Sequence, residues 1–145
     1  MAARRGVVGV IVEQGRLLVI RRAQAVAAPG MLCFPGGAIE PGETEPQALL
    51  RELREELGIG VRPLRRLWQS TTRNGVALAW WLAERDGQPF VPNPQEVASV
   101  CWFTLEELAR QEDLLESNRQ FLAAVASGEV ALTADGTGRP QSPWG

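Results

Sequence analysis

The chain has 145 residues and a net charge of -2, with no histidine, no tyrosine and two cysteines. That length suits one domain able to bury a core unaided, and the charge excludes an overall positive field for duplex nucleic acid or an anionic membrane. Without histidine there is no imidazole base and no imidazole ligand, so any metal site must use carboxylate and carbonyl oxygens, which suit hard cations such as Mg²⁺ or Mn²⁺.

Residues 7–12 are largely β-branched and read as a strand, and the Gln14-Gly15 turn pairs them in a hairpin with residues 16–22. Residues 7–12 are too short, and too soon followed by Glu13, to be a signal peptide. Residues 23–30 are weakly patterned and read as a loop, and the apolar stretch 31–34 stops at Pro35-Gly36-Gly37. A helix follows over about 45–57, with Thr44 as N-cap, Pro46 in the first turn and Gly58 as terminator. Residues 61–72 form an imperfect strand containing Pro63. Asn74-Gly75 is a hairpin turn, and residues 76–83, apolar throughout, read as a central strand covered on both faces. After a proline-rich loop come a strand at 97–103, a short helix at 105–110 with a Thr104/Glu107 capping box, and a last helix at 117–126. One domain thus spans 1–132, and the Gly/Pro-rich residues 133–145 read as a flexible tail.

The order strands, helix, strands, helices places the chain in the α/β class, of the α+β type, with a mixed sheet between helices. Cys33 and Cys101 are too few for a disulfide framework or a four-cysteine zinc site and read as buried strand thiols, in keeping with a cytoplasmic location. No apolar run approaches the roughly 20 residues of a membrane helix.

The helix at 45–57 carries the chemistry. At about 100° per residue, Leu49, Leu50, Leu53 and Leu57 form a core-facing stripe, and Glu52, Glu55 and Glu56 project together from the adjoining arc. Like charges at this spacing destabilise a helix, and the C-terminal end of the dipole disfavours them. A bound divalent cation reverses both signs. The bland alternative is a solvated acidic face.

The full pattern weighs against that alternative. Gly37, Glu43, Arg51-Glu52-Leu53, Glu55-Glu56 and Gly58-Ile59 resemble the Nudix box (37–59) at every defined position. The resemblance implies an α/β/α sandwich fold. It also implies Mg²⁺, with Mn²⁺ as a substitute, held by Glu52, Glu55, Glu56 and the Gly36 carbonyl, with Glu96 in the proline-rich loop as a further ligand or merely a solvated side chain. Arg51 and Glu43 resemble the structural pair of the box, Arg51 orienting the catalytic carboxylates, while Gly37 and Gly58 are expected to let the backbone bend sharply. The implied reaction is in-line attack of water on a phosphoanhydride. With no histidine, the general base is a carboxylate: Glu55, Glu56 or Glu96.

Outside the box the chain is most similar to MutT-like nucleoside triphosphate pyrophosphohydrolases, through Arg21-Arg22, Phe34-Pro35-Gly36-Gly37 and the segment at 114–118. That similarity implies hydrolysis of a (d)NTP, such as oxidised dGTP, to a monophosphate and pyrophosphate. Arg22, Phe34 and Asn118 become substrate-binding candidates: an asparagine amide suits a purine edge, although Ser117 or Asn118 equally suits a helix cap. The alternatives are an ADP-ribose or nucleotide-sugar pyrophosphatase and a non-catalytic nucleotide-binding domain, the latter usually missing box glutamates, none of which is missing here. The expected partner is a small nucleotide, with no duplex nucleic acid and no membrane, for a monomer or homodimer.

Overall fold

The structure, a computed structural model, describes residues 4–132, so the expected tail at 133–145 lies outside the described residues. Its strands are β1 (Arg5–Val10), β2 (Val12–Glu13), β3 (Arg16–Arg22), β4 (Leu32–Cys33), β5 (Gly36–Ala38), β6 (Val61–Thr71), β7 (Ala77–Arg85) and β8 (Val97–Phe103). Its helices are α1 (Glu45–Leu57), α2 (Leu105–Ala109) and α3 (Glu116–Ala126).

Two sheets form. The first is mixed, in the order β5-β1-β7-β6, with β1 and β7 parallel and the other pairings antiparallel. In the second, β2 and β4 pair with successive stretches of one edge of β3, and β8 takes the other edge. As expected, β7 is central, whereas β6 is an edge strand whose ladder shifts register at Pro63, where a missing N–H is tolerated.

Side-chain alternation splits the interior into two cores. Val7, Ile11, Leu18, Ile20 and Ala83 face α1, meeting Leu49, Leu53 and Leu57, each fully buried. Gly9 lets the helix close on β1, since a Cβ there would lie 3.1 Å from Leu49 Cδ1. Val8, Val10, Leu17, Val19, Trp80 and Leu82 face the other way, toward α2 and α3. There the Trp80 and Phe121 rings stack at 4.5 Å, with Phe34 edge-on to both. Each such buried side chain contributes about 1.5–3 kcal/mol. The layers are helix, sheet and helix: an α/β/α sandwich.

Two local expectations are corrected. The hairpin between 7–12 and 16–22 survives only as Val12-Glu13 on β3, turned by Gln14 and Gly15, both at positive φ (53° and 77°). Before Ile11 the chain leaves that hairpin for the other sheet, because parallel pairing with β7 buries β1 on both faces. Leu50 is not in the core stripe: it is 42% exposed, and Ala48 takes the inward place beside Leu49.

Candidate active site

Both ends of α1 are fixed by local chemistry. Thr44 and Gln47 form a reciprocal capping box at its start. Gly58 closes its end at φ 68°, and a Cβ there would meet Val91 at 2.8 Å. Val91 sits there because the 89–96 loop is tied to the helix's last carbonyls: Val91 N–H to Leu57 O at 2.8 Å, Asn93 N–H to Glu56 O at 2.9 Å. The Asn93 carbonyl accepts from Glu96 N–H at 3.0 Å, which brings Glu96 to the acidic side of α1.

Around Arg51 every charge has a partner. Its guanidinium grips Glu43 at 2.7 and 2.8 Å and donates to Ala38 O at 2.9 Å, Glu52 Oε1 at 3.0 Å and Glu55 Oε2 at 3.3 Å. Arg51, with help from the Glu40 N–H, holds the Glu43 carboxyl down to about 2. Glu43 itself pushes the Arg51 guanidinium up.

Glu52 and Glu56 face the opposite condition. Glu56 is 8% exposed and accepts Gly36 N–H at 3.1 Å. Burial pushes its carboxyl up to about 8 against that bond, with Glu52 and Glu96 pushing the same way and Arg22 opposing. Burial also raises Glu52, against Arg51, with Glu55 and Glu96 adding to the rise. Glu55 points outward, its side chain 56% exposed. The three box glutamates therefore do not project from one spot, as expected, but divide between an inner pair and an outer one. The inward turn of α1 that buries Leu49 and Leu53 also buries Glu56. Among the described residues, no three His, Cys, Asp or Glu side chains converge to hold a metal as they stand. The donor chemistry nonetheless fits a divalent cation. These are hard oxygens crowded by like charge, and burial raises the carboxyls of Glu52 and Glu56; a cation would reverse each effect.

Gly37 does not make the sharp bend expected of it: it lacks a positive φ. It is glycine because Glu52 lies over it, so that a Cβ would stand 2.3 Å from that carboxylate. Gly36 likewise leaves no room, a Cβ meeting Val7 O at 2.1 Å.

Beyond this glycine wall opens a cleft of about 550 Å³, within the range of ligand pockets. Arg22, Phe34, Gly36, Gly37 and Asn118 all line it. Asn118 does not cap α3, whose N-cap is Leu115 with no side-chain bond. It is buried, its Oδ1 accepting Phe34 N–H at 2.7 Å and its Nδ2 donating to Ser117 Oγ at 3.0 Å. The bridge of Leu32 to Leu114, with Leu115 N–H on Leu32 O, brings α3 to Phe34. Arg22 Nε donates to Ala27 O at 2.6 Å, and its Nη1 reaches Cys33 Sγ at 3.7 Å. Burial pushes the Cys33 thiol up to about 11 despite that contact. Trp80 is wholly buried and Trp68 packs beside it, so neither lines the cleft.

Sequence reasoning missed Arg4 and Arg5, which line the same cleft. Their place depends on the parallel β1–β7 pairing, which no local pattern announces. Among the described residues no helix is long and apolar enough to cross a membrane.

Comparison with known proteins agrees with this fold. The chain is 35% identical over 100 residues to the NAD-capped RNA hydrolase NudC of Chromobacterium violaceum, covering 68% of this chain but only 37% of that protein. It is 33% identical over 134 residues to the putative 8-oxo-dGTP diphosphatase 2 of Mycobacterium tuberculosis (strain ATCC 25618 / H37Rv), covering 89% of this chain and 92% of that one. Among solved structures, the MutT NUDIX hydrolase from Burkholderia pseudomallei superposes with a TM-score of 0.75 at 29% identity, over 85% of this chain and 98% of that chain. The NUDIX domain family model matches residues 2–125. The chain is therefore a member of the Nudix hydrolase family.

Proposed function

We propose that this protein is a Mg²⁺-dependent pyrophosphohydrolase that cuts a nucleoside triphosphate to the monophosphate and pyrophosphate. The observation that carries the reading is buried Glu56 beside half-buried Glu52, held directly behind Gly36 and Gly37 at the wall of an arginine-lined cleft. The mycobacterial relative, matched along nearly its whole length, is named as a putative 8-oxo-dGTP diphosphatase, which favours a triphosphate substrate.

Glu52, Glu56 and Glu96 would hold the metal, with Glu55 and the Gly36 carbonyl as further oxygens on the same rim. When bound, the ion neutralises diphosphate oxygens and makes a water nucleophilic at neutral pH. The chain's own residues do the rest. Arg51 restrains Glu52 and Glu55 from outside the cleft. A carboxylate takes the proton of the attacking water, since no histidine exists to do so. Glu55, the most exposed of the three box glutamates, is the one free to exchange that proton with solvent. Phe34 and Asn118 meet the base: Asn118 uses one acceptor and one donor position internally and keeps one of each for a purine edge.

A panel of nucleoside triphosphates, oxidised dGTP, ADP-ribose and nucleotide sugars, incubated with Mg²⁺ and read by product chromatography, tests this reading. Monophosphate and pyrophosphate from a triphosphate support it; cleavage of ADP-linked or sugar-linked compounds alone overturns it.

A further inference from the structure

The cleft carries three charged side chains, Arg4, Arg5 and Arg22, and no carboxylate, in a protein whose net charge is -2. Arg22, whose Nη1 reaches Cys33 Sγ, stands at the catalytic end, where its charge opposes the rise of Glu56. Arg4 and Arg5 stand at the other. Val8 is the strand partner of Gly36, so Arg5 lies three residues along β1 from it, about 10 Å. Beside the cleft lies a second cavity of about 450 Å³, which shares Thr72, Asn74, Leu115 and Ser117 with it and is lined by Arg73 as well.

The arginines at this far end have unused donors. Arg73 makes no hydrogen bond or ion pair among the described residues. Among the described residues the Arg4 side chain reaches only a backbone carbonyl, Asn74 O, at 3.3 Å. Arg5 is 3.5 Å from Glu45, which Arg66 holds more closely at 3.0 Å. Other arginines are committed, as Arg21 is to Asp113 at 2.6 Å, Arg85 to Glu13 at 2.8 Å and Arg51 to Glu43; Arg16 and Arg110 also lack a side-chain bond among the described residues, but they line neither cavity. The one acid on the second cavity, Glu116, does not pair with Arg73.

We propose that Arg4 and Arg73 form a second anion subsite, which binds a phosphate carried on the 3′ side of the substrate's nucleoside. This rests on the reading that the scissile diphosphate lies at Gly36 and Gly37. A nucleoside anchored there by its 5′ oxygen directs its 3′ oxygen away from the glutamates and toward the rim between β1 and the Thr72–Val76 turn. A phosphate at that point meets planar guanidinium donors suited to bidentate contact. The same chemistry occurs in a free nucleotide bearing a 3′-phosphate and in the phosphodiester of a nucleic-acid 5′ end.

The test is binding rather than turnover, so it stands apart from the nucleotide panel. Titration calorimetry compares a nucleoside 5′-monophosphate, the matching 3′,5′-bisphosphate and a 5′-phosphorylated dinucleotide, on the wild type and on the Arg4→Ala/Arg73→Ala double variant, with circular dichroism confirming that the variant folds. In the wild type the 3′-phosphate tightens binding by about tenfold or more at low salt, the scale of charge-assisted hydrogen bonds, and the gain shrinks as salt rises. In the double variant the two mononucleotides bind within about twofold of each other. An equal gain from the dinucleotide supports a nucleic-acid end as ligand; a gain confined to the bisphosphate supports a free nucleotide. No gain in the wild type, or the same gain in the variant, overturns the subsite. A panel showing no hydrolysis at all removes the catalytic reading and leaves this binding result to be judged on its own.

Discussion

Glu43 and Glu56 belong to one loop-helix unit, and the protein treats them in opposite ways. Glu43 is gripped by two guanidinium nitrogens and held down to about 2, a carboxylate whose charge is fully answered within the chain. Glu56 is buried against a single backbone N–H, with two further acids pressing on it, and is held up to about 8. An answered charge fixes shape, here by tying the loop after β5 to α1. An unanswered one, buried at a cost, is kept for a cation or proton that arrives from outside.

Removing the unanswered charge should have the largest effect. Glu56→Gln is expected to lower kcat by at least about 10²-fold at saturating Mg²⁺, the scale of a lost ligand or base; steady-state kinetics near wild type would erase the distinction between the two acids. Gly37→Ala comes next. Its Cβ displaces the movable Glu52 carboxylate rather than backbone, so Mn²⁺ affinity, read by electron paramagnetic resonance, should weaken about tenfold, as for a disturbed ligand shell, while the melting temperature barely moves.

The pH dependence sharpens the contrast further. The unfolded chain releases the Glu56 proton near pH 4.3, whereas the metal-free fold keeps it until about pH 8. Folded protein thus holds the extra proton between these values, and stability falls as pH rises across them, with a slope approaching about 1.4 kcal/mol per pH unit. Chemical denaturation with chelator present should show this slope, and Glu56→Gln should flatten it. Saturating Mg²⁺ should also flatten it, and metal should bind more tightly as pH rises because it displaces that proton. The smallest effect is expected from Glu43→Gln, a melting temperature lower by roughly 5 °C and a loss of metal affinity well below that of Gly37→Ala, both read in the same assays.

Much of this was legible because it is local. The caps Thr44 and Gly58, the stripe Leu49-Leu53-Leu57 and the acidic turn of α1 all lie within one helix, where spacing fixes direction. The family pattern supplied the pairing of Arg51 with Glu43. What could not be read depends on partners far along the chain. Leu50 turned outward because the buried face of α1 runs through Ala48, Leu49, Leu53 and Leu57. Asn118 turned from helix cap to the partner of Phe34 because the link before α3 bridges to Leu32. Gly37 is required by a side chain fifteen positions away, Glu52, rather than by its own torsion. Arg4 and Arg5 reach the cleft only through the register of β1 on β7.

The division of the chain between two sheets bears on how the enzyme comes into being. The backbone passes from the first sheet to the second at Ile11 and returns between Cys33 and Gly36, and the return carries Phe34 to the cleft. Its neighbours there come from β1, near the start, and from α3, near the end of the described chain. Neither sheet alone can shape a binding surface. Competence is therefore expected to emerge late and all at once during refolding, when distant segments finally dock, and not to build up gradually with secondary structure.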